Sequence, residues 1–378
     1  MEAEKLQELS KIQRRSPYHE WQAGEGIPIV TGLCINDLNA VELKPWARTG
    51  GLGAFVDLGN RPGYERGSYL GEIPAGGQLK PQRHMYEEVI YIVSGRGATT
   101  IWSDGQAKRT VEWQEGSFLA IPLNVWHQHF SGESDRPARY LGRTNAPAMM
   151  GIFHNENFIF DNPFVFDDRF NGQEEFYSGQ GKLYQKRVWE TNFVPDVRSF
   201  KLYEWKERGA GGTNVMFEMA DAQLACHISQ FPIGTYKKAH VHSRGVDKGG
   251  GANLLILEGE GFTLVWRPED KERRRLDWKK NSLVVAPSSW FHQHFNTGPT
   301  PARYLALRGG TGDRYWNGME RIADVNEKEG GCQIEYENED PEIHEFFEQQ
   351  LGRHETTCRM KGLSPHCTGA TPVARKEI

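Results

Sequence analysis

Histidines at strand-like spacing in the second half of the chain have the arrangement of a metal site. His240 and His242 lie two residues apart in a segment flanked by β-forming residues, so in a strand both imidazoles point to the same face. His292 follows a second apolar segment, residues 282–287, and can bring a third nitrogen to the same point. Three protein ligands that leave open coordination positions are typical of a catalytic metal. The sequence therefore predicts a metal bound to His240, His242 and His292.

The composition of the chain is that of an ordinary globular protein. Its 378 residues allow two or more domains; 38% are hydrophobic and 25% are charged, with a formal net charge of -5. The basic cluster at residues 271–275 is short and lies between strand-like segments, so we expect no nucleic-acid partner. The chain is charged from its second residue and has no apolar run near the ~18 residues of a membrane span. We therefore expect no signal peptide, no membrane partner and a cytoplasmic location.

The cysteines indicate reduced thiols of a cytosolic protein, because the five are scattered and form no CxxC pair. They are Cys34, Cys226, Cys332, Cys358 and Cys367. Four residues near the C-terminus are of types that bind zinc, namely His354, Cys358, His366 and Cys367. Their spacing is irregular, so a surface tail is the stronger interpretation.

Short β-strands dominate the pattern from about residue 50 onward. Runs of β-forming residues are separated by Gly, Pro and Asn, which indicates an all-β sandwich or barrel. Residues 146–205, in the middle of the chain, are too aromatic for a flexible linker. We expect this segment to pack across the two halves or at a subunit interface.

Short helices are predicted at both ends of the chain. A helix over residues 2–13 is predicted by the helical spacing of Leu6, Leu9 and Ile12. A second helix is predicted to begin with Asp340 as N-cap and Pro341 at its first position, and to end at Gly352. Its buried stripe is predicted to consist of Ile343, Phe346, Phe347 and Leu351.

The chain contains an internal duplication. The sequence Val125-Trp-His127-Gln-His129-Phe returns as Trp290-Phe-His292-Gln-His294-Phe. The offset is 158 residues from position 84 to 242 and 164 residues from position 95 to 259, so the second copy has six extra residues between them. This insertion, near residues 243–252, is rich in glycine and suits a lid or an entrance to the predicted site.

Both copies carry residues that resemble the two cupin motifs. The first copy matches them as Gly76-x5-Gln82-x-His84-x3-Glu88-x6-Gly95 and Gly116-x5-Pro122-x-Asn124-x2-His127. The two copies together resemble a bicupin over about residues 50–312. The resemblance implies an all-β fold of two small antiparallel β-barrels, each a double-stranded β-helix with a metal pocket inside, and often an oligomer. It specifies no reaction, because cupins include dioxygenases, decarboxylases, isomerases and metal-free binding proteins.

The first copy departs from the usual cupin ligand set of an HxH pair, a glutamate and a later histidine. Gln82 replaces the first histidine, whereas His84, Glu88 and His127 are kept. Two histidines and a carboxylate can bind Fe(II) as a facial triad, with Gln82 as a weak fourth ligand. The alternative is a degenerate barrel that is kept for packing.

The second copy departs in the opposite way, because its three histidines are kept and Ala252 stands where the glutamate should be. An all-histidine site resembles those of the gentisate, salicylate and thiol dioxygenases among the cupins. His129 and His294 lie two residues after a ligand candidate and share its inward face. They are candidate catalytic acid–base residues, with a role in hydrogen bonding to the ligands or in the core as alternatives.

We therefore predict a metal-dependent bicupin oxidoreductase, a mononuclear non-haem Fe(II) dioxygenase that cleaves a small aromatic or other chelating, oxygenated substrate with O2. One alternative is a Mn- or Ni-dependent lyase, decarboxylase or isomerase, in which the Glu88 site could carry the chemistry. Another is a metal-free small-ligand binding protein, and zinc is a further candidate metal. A homo-oligomer is expected.

The predicted organisation has five parts. They are an N-terminal arm (1–49), a first barrel (50–145), an inter-barrel segment (146–205), a second barrel (206–312) and a C-terminal helix and tail (313–378), with short peripheral helices.

Overall fold

The duplicated sequence folds into two repeats with the same strand order. A computed structural model describes residues 16–59, 67–184, 187–242, 252–270, 272–308 and 324–369. The N-terminal segment and first repeat contain α1 (Pro17–Gly24), β1 (Ile29–Gly32), β2 (Cys34–Ile35), β3 (Lys44–Trp46), β4 (Gly51–Leu58), β5 (Gly67–Ile73), β6 (Glu88–Ser94), β7 (Arg96–Trp102), β8 (Arg109–Gln114), β9 (Phe118–Ile121), β10 (Trp126–Ser131) and β11 (Ala138–Thr144).

The rest of the described chain continues this pattern. The inter-repeat segment contains α2 (Ala146–Phe153), α3 (Glu156–Phe160), β12 (Lys182–Tyr184), β13 (Val188–Glu190), β14 (Phe193–Val194) and β15 (Tyr203–Glu204). The second repeat and the C-terminal segment contain β16 (Thr213–Glu218), β17 (Cys226–Phe231), β18 (Ala239–Val241), β19 (Ala252–Glu258), β20 (Glu260–Trp266), β21 (Arg274–Lys279), β22 (Leu283–Ala286), β23 (Phe291–Asn296), β24 (Ala302–Leu307), β25 (Gln333–Ile334) and α4 (Pro341–Arg353). Short 3-10 helices lie at Leu38–Ala40, Glu174–Tyr177, Lys206–Arg208, Glu327–Glu329 and Tyr336–Asn338.

Each repeat consists of a large sheet and a small sheet. In the first repeat the large sheet has the order β1-β4-β5-β11-β6-β9-β14, with β3 beside β4, and the small sheet has the order β10-β7-β8. In the second repeat the orders are β12-β13-β16-β17-β24-β19-β22-β2, with β15 beside β16, and β21-β20-β23-β18-β25. The duplication therefore holds for the fold, because β4-β5-β11-β6-β9 corresponds to β16-β17-β24-β19-β22.

The predicted closed barrels are not confirmed. Closure requires a continuous ladder around the sheet, but in the described residues the large and small sheets of a repeat have separate ladders. The architecture is mostly β, as predicted, with two open sheets in each repeat and short helices at the periphery.

The alternation of side chains along the second large sheet shows how the sheets are layered. On one face Leu255 and Leu305 pack into the core that contains the first repeat, and Phe217 contacts Phe118 there, with ring centroids 6.2 Å apart. On the other face Leu254 packs against the small sheet of its own repeat. The two large sheets therefore lie back to back, because successive strand residues point to opposite faces.

Strands from outside the repeats join the large sheets together. Strand β2, from the N-terminal segment, pairs with β22 of the second repeat, and β14, from the inter-repeat segment, pairs with β9 of the first. The inter-repeat segment also supplies β12, β13 and β15 to the second large sheet. It therefore packs across both repeats, one of the two placements expected for it, whereas the predicted domain boundaries stay a prediction.

Helix α4 has the predicted start, because the Asp340 side chain accepts a hydrogen bond from the Glu342 N–H at 3.1 Å and Pro341 follows it. The helix ends at Arg353, one residue later than predicted, since the last turn continues through Gly352. The predicted stripe is correct except for Phe346, which is half-buried. The helix also buries His344, which the sequence analysis left out.

Some expectations lie outside the described residues. These are the helix over residues 2–13 and nearly all of the glycine-rich insertion. Among the helices that the structure describes, none combines the length and the apolar character needed to span a membrane.

Candidate metal centres

Strands β18 and β23 bring together the three histidines of the second repeat. His240 pairs with His292 across the two strands, and His242 directly follows β18. All three side chains are buried, and their ligand nitrogen atoms lie within 4.8 Å of one another. The predicted convergence of three imidazoles is therefore present in the structure. Their role as metal ligands stays a prediction.

These imidazoles are held in the neutral form that binds metals. Burial, together with the charge of Arg208, lowers the pKa of His292 to about 3 and places the pKa of His240 well below its usual range. Among the described residues, the buried Nδ1 of His240 has no hydrogen-bond partner. The Arg308 guanidinium donates to Nδ1 of His242 at 3.2 Å, so this nitrogen carries no proton, and a metal bound there would replace the hydrogen bond. With that replacement the three imidazoles can serve as donors to a divalent metal.

Three buried cations line the same cavity, Arg208, Lys237 and Arg308. The Lys237 ammonium donates to the Tyr304 hydroxyl at 3.1 Å. Arg208 forms an ion pair of 3.0 Å with Asp324, which is not part of the lining. Of the residues that the structure describes, no carboxylate lines this cavity, so the charged groups in its lining are all basic.

The first repeat brings together His84, Glu88 and His127, whose ligand atoms also lie within 4.8 Å of one another. Nδ1 of His84 lies 2.8 Å from the Tyr86 carbonyl, and Nδ1 of His127 lies 3.2 Å from the Val125 carbonyl. A carbonyl can only accept, so Nδ1–H donates in both rings and each Nε2 presents a lone pair. This donor set fits a metal as well.

The Glu88 carboxylate of this first cluster has neighbours at both of its oxygens. Nε2 of His84 lies 3.2 Å from Glu88, and the Tyr69 hydroxyl donates to the other carboxylate oxygen. Burial raises the pKa of Glu88, but His84, His127 and Tyr69 together outweigh burial and hold the pKa below its usual range. Burial and the neighbouring His84 lower the pKa of His127 to about 3. At neutral pH Glu88 is therefore ionised and His127 is neutral.

Gln82 occupies the position of His240 in the duplication. Its backbone pairs with His127 through hydrogen bonds of 2.9 and 2.8 Å, just as His240 pairs with His292. The side chain is half-buried. Its contribution as a fourth ligand stays a prediction.

His129 and His294 are held by a tryptophan and a threonine in the same way. In the first repeat the Trp113 indole donates to Oγ1 of Thr99 at 2.8 Å, and this oxygen lies 2.7 Å from Nδ1 of His129. Trp278, Thr263 and His294 repeat this arrangement at 3.0 and 2.9 Å.

The tryptophan leaves the threonine hydroxyl able to donate to Nδ1 of each histidine. Indole N–H can only donate, so the threonine oxygen accepts from it. Burial lowers the pKa of His129 to about 4 and that of His294 well below its usual range, so both rings are neutral. When the threonine donates to Nδ1, each histidine carries its proton on Nε2, and His294, which lines the cavity, is then a hydrogen-bond donor.

Sequence reasoning missed the polar residues that surround the histidines. Arg208, Lys237, Arg308 and Tyr304 line the second cavity, and Tyr69 contacts Glu88 in the first cluster. The duplication contained a signal for one of them, because Lys237 stands where the first copy has the apolar Leu79. The N–H of each donates to the carbonyl of the equivalent histidine, His294 or His129.

The zinc set considered at the C-terminus is corrected by the structure. Cys358 and Cys367 approach each other, but they meet His344 and Glu348 of helix α4 in place of His354 and His366. The sequence could not show this, because a helix folded back on the tail supplies the other two residues.

Comparison with known proteins supports the cupin resemblance. Residues 69–142 match the family model described as a cupin domain. The match runs from β5 to β11 and includes the first cluster. No curated protein matches the chain.

Solved structures with a similar fold include oxalate decarboxylases. One from Bacillus subtilis, studied for its Mn(II) centers, is 14% identical, covers 76% of this chain and 78% of that chain, and has a TM-score of 0.49. One from Lactobacillus farciminis, in a formate complex, is 12% identical, covers 75% and 87%, and has a TM-score of 0.48. Both are named as decarboxylases, whereas the sequence analysis expected a resemblance to gentisate and salicylate dioxygenases.

Proposed function

We propose that the second repeat contains the active site of a metal-dependent cupin enzyme that acts on a small carboxylate substrate as a lyase, decarboxylase or isomerase. One observation carries the proposal: three neutral histidines converge beside three buried cations, and no carboxylate of the described residues lines the cavity. Arg208 is already paired with Asp324, whereas the buried Lys237 ammonium donates to the Tyr304 hydroxyl. A buried positive charge is unfavourable unless an opposite charge compensates it, and an anionic substrate would supply that charge at Lys237.

The metal would be held by His240, His242 and His292. Mn(II), Ni(II) or Fe(II) bound there would supply Lewis acidity and open positions for substrate oxygens. Arg308 and Arg208 would orient the carboxylate, because guanidinium groups match carboxylate geometry. The cavity volume is about 20 Å³, room for roughly one or two water molecules, which favours a small substrate.

The pair of Lys237 and Tyr304 would supply the proton transfer. Burial lowers the pKa of Lys237, and its ammonium already donates to the Tyr304 hydroxyl at 3.1 Å. A lysine with a lowered pKa gives up its proton more readily, and the hydroxyl can pass it on. Lyases, decarboxylases and isomerases require such a step at carbon. This group therefore favours the alternative of the sequence analysis over the main prediction of a dioxygenase.

The Fe(II) dioxygenase remains a second candidate on one observation. Ala252 begins β19 and pairs with Ala286, just as Glu88 begins β6 and pairs with Ile121, so an alanine does occupy the glutamate position. The three-histidine donor set that the sequence analysis linked to dioxygenases is therefore supported by the strand register.

Metal analysis and activity assays without O2 distinguish the proposed lyase, decarboxylase or isomerase from the dioxygenase and from the metal-free binding protein. The purified protein is analysed for metals, loaded in turn with Mn(II), Ni(II), Fe(II) or Zn(II), and incubated with mono- and dicarboxylates, beginning with those of about two carbons because the cavity is small. We expect release of CO2 or a rearranged product without O2. O2 uptake that matches product formation would support the dioxygenase instead. Ligand binding without metal or turnover would support the metal-free binding protein.

Replacement of Lys237 by leucine tests the proton-transfer step. Leucine is the residue at the equivalent position 79, and its side chain is buried in the first repeat. We expect Lys237→Leu to keep its metal and to lose roughly 100- to 10,000-fold in kcat, the range that a general acid or base contributes. The matched control is Lys238→Leu, whose side chain forms an ion pair with Glu335 and is not part of the cavity lining. Equal activity of the two variants would contradict the role of Lys237.

The expected homo-oligomer stays a prediction. Light scattering on the purified protein would test it.

A further inference from the structure

Four side chains of types that bind metals lie between helix α4 and the C-terminal segment, outside the histidine clusters of the two repeats. They are His344 and Glu348 on the helix and Cys358 and Cys367 on the segment that follows it, and the ligand atoms all lie within 4.8 Å of one another. His344 and Glu348 are four residues apart in a helix, so they share one face. The chain returns after the helix to present both thiols to that face.

We propose that these four residues form a structural zinc site. Zinc prefers four ligands of the Cys, His and carboxylate types in a tetrahedron, and a complete set of four protein ligands is typical of a structural role. Bond lengths of about 2.0 to 2.3 Å give tetrahedral edges of roughly 3.3 to 3.8 Å. The observed separations are 3.5 Å between the two sulfurs, 3.0 Å between Nε2 of His344 and Glu348, and 3.9 Å between Cys367 and Glu348.

A hydrogen bond on the other side of the imidazole orients His344 toward this point. The Tyr236 hydroxyl donates to Glu339 at 2.7 Å, so its oxygen can accept from Nδ1–H of His344, which lies 3.1 Å away. Nε2 is then left with its lone pair. Metal-binding histidines are oriented in this way by a partner on the second nitrogen.

The facing atoms of His344 and Glu348 are best accommodated with a cation between them. With its proton on Nδ1, His344 directs a lone pair at a carboxylate oxygen of Glu348 only 3.0 Å away. Two acceptors at this distance repel each other unless a proton or a metal ion lies between them. The two sulfurs beside them favour a thiophilic metal such as zinc.

The site would attach the C-terminal segment to the strand that leads into the candidate active site. The Arg359 N–H donates to the Gly234 carbonyl at 2.8 Å, and the Thr356 hydroxyl donates to the Thr297 carbonyl at 3.1 Å. Gly234 lies six residues before His240. A Cβ at Gly234 would come within 2.1 Å of the Thr357 carbonyl oxygen, so the segment packs directly on this turn.

Release of zinc by a thiol reagent tests the site in the intact protein. The purified protein is titrated with p-hydroxymercuribenzoate, which displaces metal from thiolates, and released zinc is followed with a chromogenic chelator. We expect about one equivalent of zinc per chain, as a single four-ligand site requires. A metal held by the three histidines has no thiolate ligand and should stay bound. The result is therefore independent of the proposed enzymatic function.

Matched cysteine variants identify the source of the zinc. Cys367→Ser should release no zinc, whereas Cys34→Ser, which changes a thiol far from the cluster in sequence and absent from it, should release as much as the wild type. His344→Ala should lose the zinc as well, and circular dichroism shows whether each variant keeps its β-sheet fold. Absence of zinc from the wild type, a Cys358–Cys367 disulfide found by peptide mass, or unchanged zinc release from folded Cys367→Ser would each overturn the proposal.

Discussion

The two histidine clusters arise from one duplicated motif, yet their charges are opposite. The first is built around the buried carboxylate of Glu88, and the second has Ala252 at that place. Conversely, the first has Leu79 where the second has Lys237. The strand order and the pairing around the histidines are the same in both. Substitutions at a few positions have therefore inverted the electrostatics and left the fold intact.

This difference indicates how the two repeats divide their roles. Glu88 accepts a hydrogen bond from the Tyr69 hydroxyl and lies 3.2 Å from Nε2 of His84, so the first cluster already holds a buried negative charge that a metal would compensate. The second cluster lies beside the buried Lys237, whose ammonium donates to the Tyr304 hydroxyl, and among the described residues no carboxylate lines its cavity. The second is accordingly the better place for an anionic substrate, because a buried charge is stable only when it is paired.

The largest expected effect separates the two clusters by metal and activity. His242→Ala removes one of three ligands, so we expect the variant to lose its bound metal. Its activity should fall more than ~100-fold, a larger loss than that caused by removing a residue that only orients a ligand. Glu88→Ala in the first cluster should keep much of the turnover. Metal content and activity of both variants, measured side by side, check this expectation.

The reverse result would invert the comparison. If Glu88→Ala abolishes activity and His242→Ala does not, the chemistry belongs to the first repeat. Circular dichroism is the control for folding, because neither side chain belongs to the apolar cores.

The ligand candidates could be predicted from the sequence because they follow local rules. The spacing of His240 and His242 determines a shared face as soon as that segment is extended, and the repeated motif identifies His292 as their partner. The same holds for the start of helix α4, where Asp340 and Pro341 act within a single turn.

The surroundings of the sites could not be predicted, because they depend on long-range packing. Arg208 precedes the second repeat's first strand, and Arg308 follows its last, so the cavity forms only when distant segments meet. Likewise, His344 meets Cys358 and Cys367 only because the tail folds back on the helix. The prediction of closed barrels was not confirmed for a similar reason. Strands β2 and β14, which come from outside the repeats, extend the large sheets.

Both clusters bury neutral histidines, so acid should lower the stability of the protein through both of them. The pKa of His127 is lowered to about 3, that of His129 to about 4 and that of His292 to about 3. In the unfolded chain these side chains take up protons near pH 6.5, whereas in the folded chain they resist until much lower pH. Their contribution to stability is therefore complete above about pH 6.5 and is lost as the pH falls toward the folded values.

For the chelator-treated protein, we expect the free energy of unfolding to fall by about 2 kcal/mol for each such histidine between about pH 7 and about pH 5. Urea unfolding across this range measures it. His129→Gln should weaken the pH dependence, and His154→Gln, which changes an exposed histidine, should leave it as it is. Burial raises the pKa of Glu339 to about 7, so this one group gains stability as the pH falls through the range, but the larger number of histidines outweighs it. A stability that does not fall would therefore contradict the neutral histidines.

The smallest expected effect concerns the repeated arrangement of tryptophan, threonine and histidine. Thr263→Val removes the hydroxyl between Trp278 and His294, so Nδ1 of His294 loses this hydrogen-bond partner. Thr99→Val makes the same change in the first repeat beside His129. Both variants should lose about 1 to 3 kcal/mol of stability, because each leaves buried polar groups unpaired.

If the second repeat is the working site, only Thr263→Val should also lower kcat, by about tenfold, and shift its pH profile. Thr263→Ser should restore both. Denaturant unfolding and pH-dependent kinetics of the three variants decide the matter, and an equal loss of kcat in Thr99→Val and Thr263→Val would show that the arrangement serves only packing.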